Sequence, residues 1–190
     1  MPISFEIPDE YPWTVLACIA LCLECVLVSA MIVVPARKKY FPNEFMKKNF
    51  AEIHKENYPG HRAQPLGFPD VGSGIYSDKL SYKEWFLFNN AMRSHLNIVE
   101  QIHFLLVFFL VGGLILPKIT MVLAWLGVIG RAFYVIGYTM KGPNARLFGA
   151  FLNLIPNYFT TLFVLFVLIS AAVKNAGYLS ATQVPQAVTA

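Results

Sequence analysis

The sequence predicts an all-α integral membrane protein, a four-helix bundle, and three observations carry that prediction. Of the 190 residues, 56% are hydrophobic and 14% charged, well under the roughly 25% charged residues of a soluble domain. Four apolar stretches are each long enough to cross a bilayer core, which takes about 20 residues of helix at about 1.5 Å per residue. The basic residues outside those stretches fall overwhelmingly on one side of them.

The stretches run Trp13 to Val34, Ile98 to Leu116, Ile119 to Tyr138 and Phe148 to Val173, with Glu24, Glu100 and Arg131 as their only charges. They predict membrane helices over about residues 13–35, 86–116, 119–139 and 148–174 in a single membrane domain, 1–190. Before the first, Met1 to Pro12 holds Glu6, Asp9 and Glu10 and no Lys or Arg, so this stretch reads as a retained helix rather than a leader. Cys18, Cys22 and Cys25 lie inside it and read as small apolar packing residues. No neighbouring residue offers the further ligands a metal requires, so no metal site is expected.

The loop from 36 to 84 carries nine basic side chains: Arg37, Lys38, Lys39, Lys47, Lys48, Lys55, Arg62, Lys79 and Lys83. The link between the third and fourth helices adds Lys141 and Arg146, against only Lys118 and Lys174 on the other side. That bias places both basic loops in the cytoplasm or matrix. Nucleic-acid binding is excluded, because these cations sit beside membrane helices and the loop's six acidic residues dilute them. Pro35 is expected to end the first helix, with Ala36-Arg37-Lys38-Lys39-Tyr40 as a headgroup collar. Met46, Phe50 and Ile53 then share a helical face, which suits a short segment lying on the membrane surface among lipids. Residues 57–76, rich in Pro and Gly, are either a functional loop or a disordered one.

Ionisable groups at membrane depth are costly and mark a bundle interior or a wet cavity. Arg93, Asn97 and Glu100 stand at i, i+4 and i+7 on one face, with Asn90 one turn earlier. Arg131, Tyr134 and Tyr138 form a second column on the third helix. Each column alone reads equally as an interhelical lock or as packing. Together they suit an extended zwitterionic ligand held near the cytoplasmic end. Glu24 is expected to be a neutral buried acid bonded to a neighbouring helix, and His95 and His103 to be structural.

Arg93-Ser94-His95-Leu96-Asn97-Ile98-Val99-Glu100 resembles an R-A-H-x-N-x-x-E signature, and Gly130-Arg131-Ala132-Phe133-Tyr134-Val135-Ile136-Gly137-Tyr138 resembles G-R-x-x-Y-x-x-G-Y. With Val111-Gly112-Gly113 and the collar, the resemblance is to the MAPEG family, the membrane-associated proteins in eicosanoid and glutathione metabolism. Within it, the spacing between the two motifs, the collar and Val111-Gly112-Gly113 also resemble the type-three microsomal glutathione transferases. The resemblance implies a homotrimer of four-helix subunits in the endoplasmic reticulum or a mitochondrial membrane. Glutathione would be the co-substrate, and the activity that of a transferase or peroxidase acting on lipophilic electrophiles and lipid hydroperoxides.

The resemblance also implies roles for individual residues. Arg37 contacts a glutathione carboxylate. Arg93, Asn97 and Glu100 grip the carboxylate and ammonium ends, and Tyr134 and Tyr138 line the pocket. Arg146 stands next to the sulfur as the catalytic group. Ser94, Gln101 and His103 depart from the pattern, and residues 41–82 form an insertion with no family role. A non-catalytic subunit of a larger membrane complex is the alternative expectation.

Overall fold

The computed structural model describes residues 6–61 and 64–182, with side chains as far as Lys174. Arg62, counted among the loop cations, lies outside the described residues. Every regular element among them is helical. Helix α1 runs Tyr11–Val28, passes through a π-helical turn at Ser29–Val33 and continues over Val34–Tyr40. Helix α2 is Asn43–Asn57, α3 is Tyr82–Ile115, α4 is Pro117–Lys141 and α5 is Leu147–Thr182. Four of them, all but α2, are long and apolar enough to cross a membrane. The protein is a multi-pass integral membrane protein.

Pro35 does not end α1, contrary to expectation. A proline inside a helix removes one N–H and crowds the carbonyl four residues back. Here the turn just upstream widens, with the Val34 N–H reaching Ser29 O five residues away, and the helix continues past the ring. Helix α3 starts at Ser81 with a reciprocal cap: the Ser81 hydroxyl accepts from Glu84 N–H at 3.4 Å, and the Glu84 carboxylate accepts from Ser81 N–H at 3.0 Å. Pro117 at the first turn of α4 leaves only Leu116 between α3 and α4.

Helix α4 touches each of the other membrane helices and packs most extensively on α5. Glycines make that crossing possible. A Cβ on Gly149 would strike the Tyr134 backbone, and one on Gly130 would lie 2.8 Å from Asn153 N. The central core joins Ala17, Cys18 and Leu21 of α1 to Leu105 and Phe109 of α3 and Ala124 of α4. Away from it, Ile19, Leu23, Phe159, Leu162, Phe166 and Ile169 are exposed on the bundle's outer surface, as a lipid-facing periphery requires.

The two ends are distinct. At one, Lys118 pairs with Glu10 at 3.7 Å, tying the α3–α4 turn to the start of α1. At the other, the turn after α4 lies beside the start of α3, where a Cβ on Gly142 would meet the Phe86 ring at 3.6 Å. Helix α2 and residues 58–61 and 64–81 gather at this second end as a folded cap. Met46 and Phe50 are buried against Val33, Phe41, Phe88 and Met92, so the apolar face of α2 packs on the protein and not on lipid, while Ile53 stays exposed. Specific contacts hold residues 66–77 in place. Arg37, 3% exposed, donates to Leu66 O and Gly67 O at 3.3 Å and to Asp70 O at 2.6 Å. Its guanidinium also lies 4.1 Å from the centre of the Phe68 ring. Asp70 in turn accepts from Gly72 N–H at 2.7 Å, Ser77 N–H at 2.7 Å and the Ser77 hydroxyl at 2.6 Å.

Candidate functional site

The polar residues of α3 and α4 meet through Arg131. It is 1% exposed, and its Nη1 donates to Asn97 Oδ1 at 2.6 Å and its Nη2 to Gln101 Oε1 at 2.9 Å. Asn153 Nδ2, from α5, donates to the same Gln101 oxygen at 3.3 Å. A guanidinium buried at membrane depth is tolerated only with acceptors of this kind, and the pair lies one helical turn apart on α3, matching the fork of Arg131.

Nearer the loop end, Arg93 pairs with Glu100 at 3.3 Å, both half exposed. Gly142, with φ 84°, turns the chain out of α4 into a short turn that carries Arg146 back over Tyr138. The Arg146 Nη1 donates to the Tyr138 hydroxyl at 3.4 Å, and its guanidinium sits 5.2 Å from that ring's centre. Tyr134 and Tyr138 are buried.

Between α3 and α5, backed by Tyr134, lies a cavity of about 780 Å³. Arg93, Asn97, Gln101 and Arg146 supply its polar end. Phe104, Phe108, Leu154 and Tyr158 carry it on along the membrane axis. Its lips lie open on the outside of the bundle, Phe104 being 56% and Tyr158 60% exposed.

Of the residues expected at a site, Arg93, Asn97, Tyr134 and Arg146 line this cavity. Tyr138 stands behind Arg146 and Glu100 is tied to Arg93, neither lining it. Arg37 is elsewhere: its Nη1 and Nη2 donate to the loop carbonyls, and its buried Nε has no partner among the described residues. The volume is within the range of small-molecule sites, about 300–1,000 Å³. Two guanidiniums, two amides and a phenol at one end suit a polar, anionic ligand bearing carboxylates or other oxygen acceptors.

Several residues differ from expectation. Among the described residues Glu24 has no bond to a neighbouring helix, and its Oε2 is buried without a hydrogen-bond partner. His95 does have a neighbour, its Nε2 lying 3.8 Å from Cys25 Sγ, and His103 packs against the Phe104 ring at 4.1 Å. Gln101, Asn153 and Asn157 at the cavity were not anticipated. The signal for the last two was present, since two asparagines at i and i+4 in a charge-free membrane helix share a face. A search confined to ionisable groups passes over them.

Fold and cavity together define a polytopic helical membrane protein with a cationic pocket at one end of its bundle. The MAPEG family profile matches residues 14–171, and the chain belongs to that family, whose members work in membrane eicosanoid and glutathione chemistry. No curated protein and no solved structure matched the chain.

Proposed function

We propose that the protein is a membrane-bound glutathione transferase or peroxidase that turns glutathione thiolate on lipophilic electrophiles and lipid hydroperoxides. The observation that carries this reading is the one cavity in which Arg93, Asn97, Tyr134 and Arg146 converge at the polar end and Phe104, Phe108 and Leu154 line the remainder. The cationic end receives the anionic peptide. The apolar end, open toward lipid, receives a partner that arrives from the bilayer.

Arg146 is the group that favours the anion of the sulfur. A thiol of pKa about 8.5 is only a few per cent ionised at neutral pH, and lowering it by about two units takes roughly 2.7 kcal/mol of preference for the thiolate. A half-buried guanidinium beside the first turn of α5 supplies charge of the required sign from both sources. In the peroxidase branch the thiolate attacks one hydroperoxide oxygen. The O–O bond breaks, its electron pair leaves with the alkoxide, and the alkoxide takes a proton to become the alcohol. A second glutathione then reduces the sulfenic acid, giving the disulfide and water. In the transferase branch the sulfur forms a thioether and the leaving group departs as its anion.

The exposed cavity lips support a homotrimer in which a neighbouring subunit closes the site. The residence in the endoplasmic reticulum or a mitochondrial membrane follows from the same family reading. The test is calorimetric titration of the purified protein with glutathione, with the thiolate absorbance followed in parallel. Saturable binding with a thiolate signal supports the proposal, and a folded protein that binds no glutathione overturns it.

A second reading draws on Arg37, which the folded insertion has engaged: a non-catalytic subunit docked in a larger membrane complex. Purification in native lipid separates the two, since a stoichiometric complex without turnover supports the second and a free, active oligomer the first.

A further inference from the structure

The orientation of an amide is ordinarily ambiguous, because its oxygen and nitrogen are alike in shape. Around Arg131 it is not. A guanidinium only donates, so the atoms that Asn97 and Gln101 turn toward Arg131, at 2.6 Å and 2.9 Å, are oxygens. The Gln101 oxygen takes a second donor, so the Asn153 atom facing it at 3.3 Å is nitrogen. What remains on the two α3 residues is Asn97 Nδ2 and Gln101 Nε2. Neither donates to a protein group among the described residues, and both belong to side chains that line the cavity. They are one turn apart, about 6 Å along α3.

We propose that Arg131 is a positioning residue that makes a pair of N–H donors of Asn97 and Gln101, and that Gln101 is a specificity-determining residue whose amide binds an oxygen acceptor on the lipophilic substrate. The inference rests on the glutathione reading for the upper donor, Asn97. Gln101 lies one turn nearer the aromatic half of the cavity, where Phe104 and Phe108 follow. A bare hydrocarbon seated there would leave the Gln101 N–H groups unpaired, and an unpaired buried donor is costly. A chain or ring bearing a hydroperoxide, carbonyl or epoxide oxygen at that depth satisfies them. The favoured class is therefore oxygen-bearing electrophiles, with acceptor-free ones such as alkyl halides reacting without that bond.

The test compares cumene hydroperoxide with 1-iodohexane as partners for glutathione. Gln101→Glu keeps an oxygen for Arg131 and replaces the free donor by an acceptor. It should lower the ratio of kcat/KM for the hydroperoxide to that for the iodide about tenfold, the iodide reporting whatever the substitution does to glutathione binding and to the thiolate. Arg131→Lys keeps the charge but not the fork that holds two oxygens, and should shift the same ratio in the same direction. An unchanged ratio in Gln101→Glu overturns the inference.

A second measurement does not depend on turnover. The chain has four glutamines, Gln64, Gln101, Gln183 and Gln186, so with ¹⁵N-labelled side-chain amides the Gln101 signal is identified by its loss in Gln101→Glu. That signal should exchange freely with solvent and move when cumyl alcohol is added. A protected, unmoved signal refutes the assignment. A signal that moves in a protein failing to bind glutathione sinks the transferase reading and leaves this one standing.

Discussion

Replacing Arg37 with Leu separates two roles for one residue. As a glutathione contact, which the family resemblance implies, its loss weakens binding and leaves the loop alone. As the anchor of the loop, its loss frees residues 66–74 and leaves binding largely intact. The magnitude follows from its partners. A hydrogen bond from a charged donor contributes about 1.5–3 kcal/mol, and removing this one strands the carbonyls of Leu66, Gly67 and Asp70 together. Counting the 2.6 Å bond to Asp70 in full and the two 3.3 Å bonds jointly as one more, about 3–6 kcal/mol of local stability is at stake. Since about 1.4 kcal/mol is a factor of ten, the loop should open roughly a hundredfold to ten-thousandfold more often. Hydrogen exchange of the amides from Gly67 to Ser77, read beside glutathione titration, measures both. Unaltered exchange with lost glutathione binding would refute the anchoring role.

Other outcomes follow from the same geometry. A unit charge at a contact separation of about 5 Å favours a thiolate by roughly 3 kcal/mol at an effective dielectric of about 20, and Arg146→Leu removes it. The pH at which turnover falls on acidification should rise by about two units, with glutathione affinity changed little, as a pH–rate profile would show. Burial pushes the Asp70 carboxyl up, but the bonds from Ser77, Gly72 and Gly74 outweigh it and hold the group below the usual carboxylate range. A depressed folded value stabilises above the unfolded pKa of about 3.9 and is lost as pH falls through the lower folded one. Loop exchange in the wild type should thus stay slow down to about pH 4, while Asp70→Asn should speed it at neutral pH. Gly149→Val forces side-chain atoms into the Tyr134 backbone and should cost about 1–3 kcal/mol, seen as a lower unfolding temperature in detergent. Ser81→Ala deletes the α3 cap and should cost about 1 kcal/mol in the same assay.

The membrane helices were legible because lipid imposes a simple rule: long apolar runs with few charges. Arg93, Asn97 and Tyr134 were legible because charge, amide and phenol at helical spacing stand out against such a background, whereas Arg146, in the turn Pro143–Arg146, was pointed to by the family resemblance alone. Arg37 was not placed by its spacing. Its partners are backbone carbonyls some thirty residues away in an irregular loop, and no side-chain pattern announces a carbonyl acceptor. Pro35 misled because the usual rule for proline assumes a helix that cannot change pitch. The face of α2 was recognised, but amphipathicity says only that Met46 and Phe50 seek an apolar neighbour. Phe41 and Phe88 met that need as well as lipid would have done.

The widened turn at Ser29–Val33 also sets the azimuth of everything after it. A π turn holds one residue more than an α turn, and each residue of helix advances the side chains by about 100°. Replacing Pro35 with Ala, which lets the turn close to the ordinary pitch with every residue kept, would swing Arg37 about a quarter revolution about the axis, away from the carbonyls it now serves. A single proline in the first span thereby governs whether the polar headgear of the protein is fastened, with no change to any residue of the headgear itself.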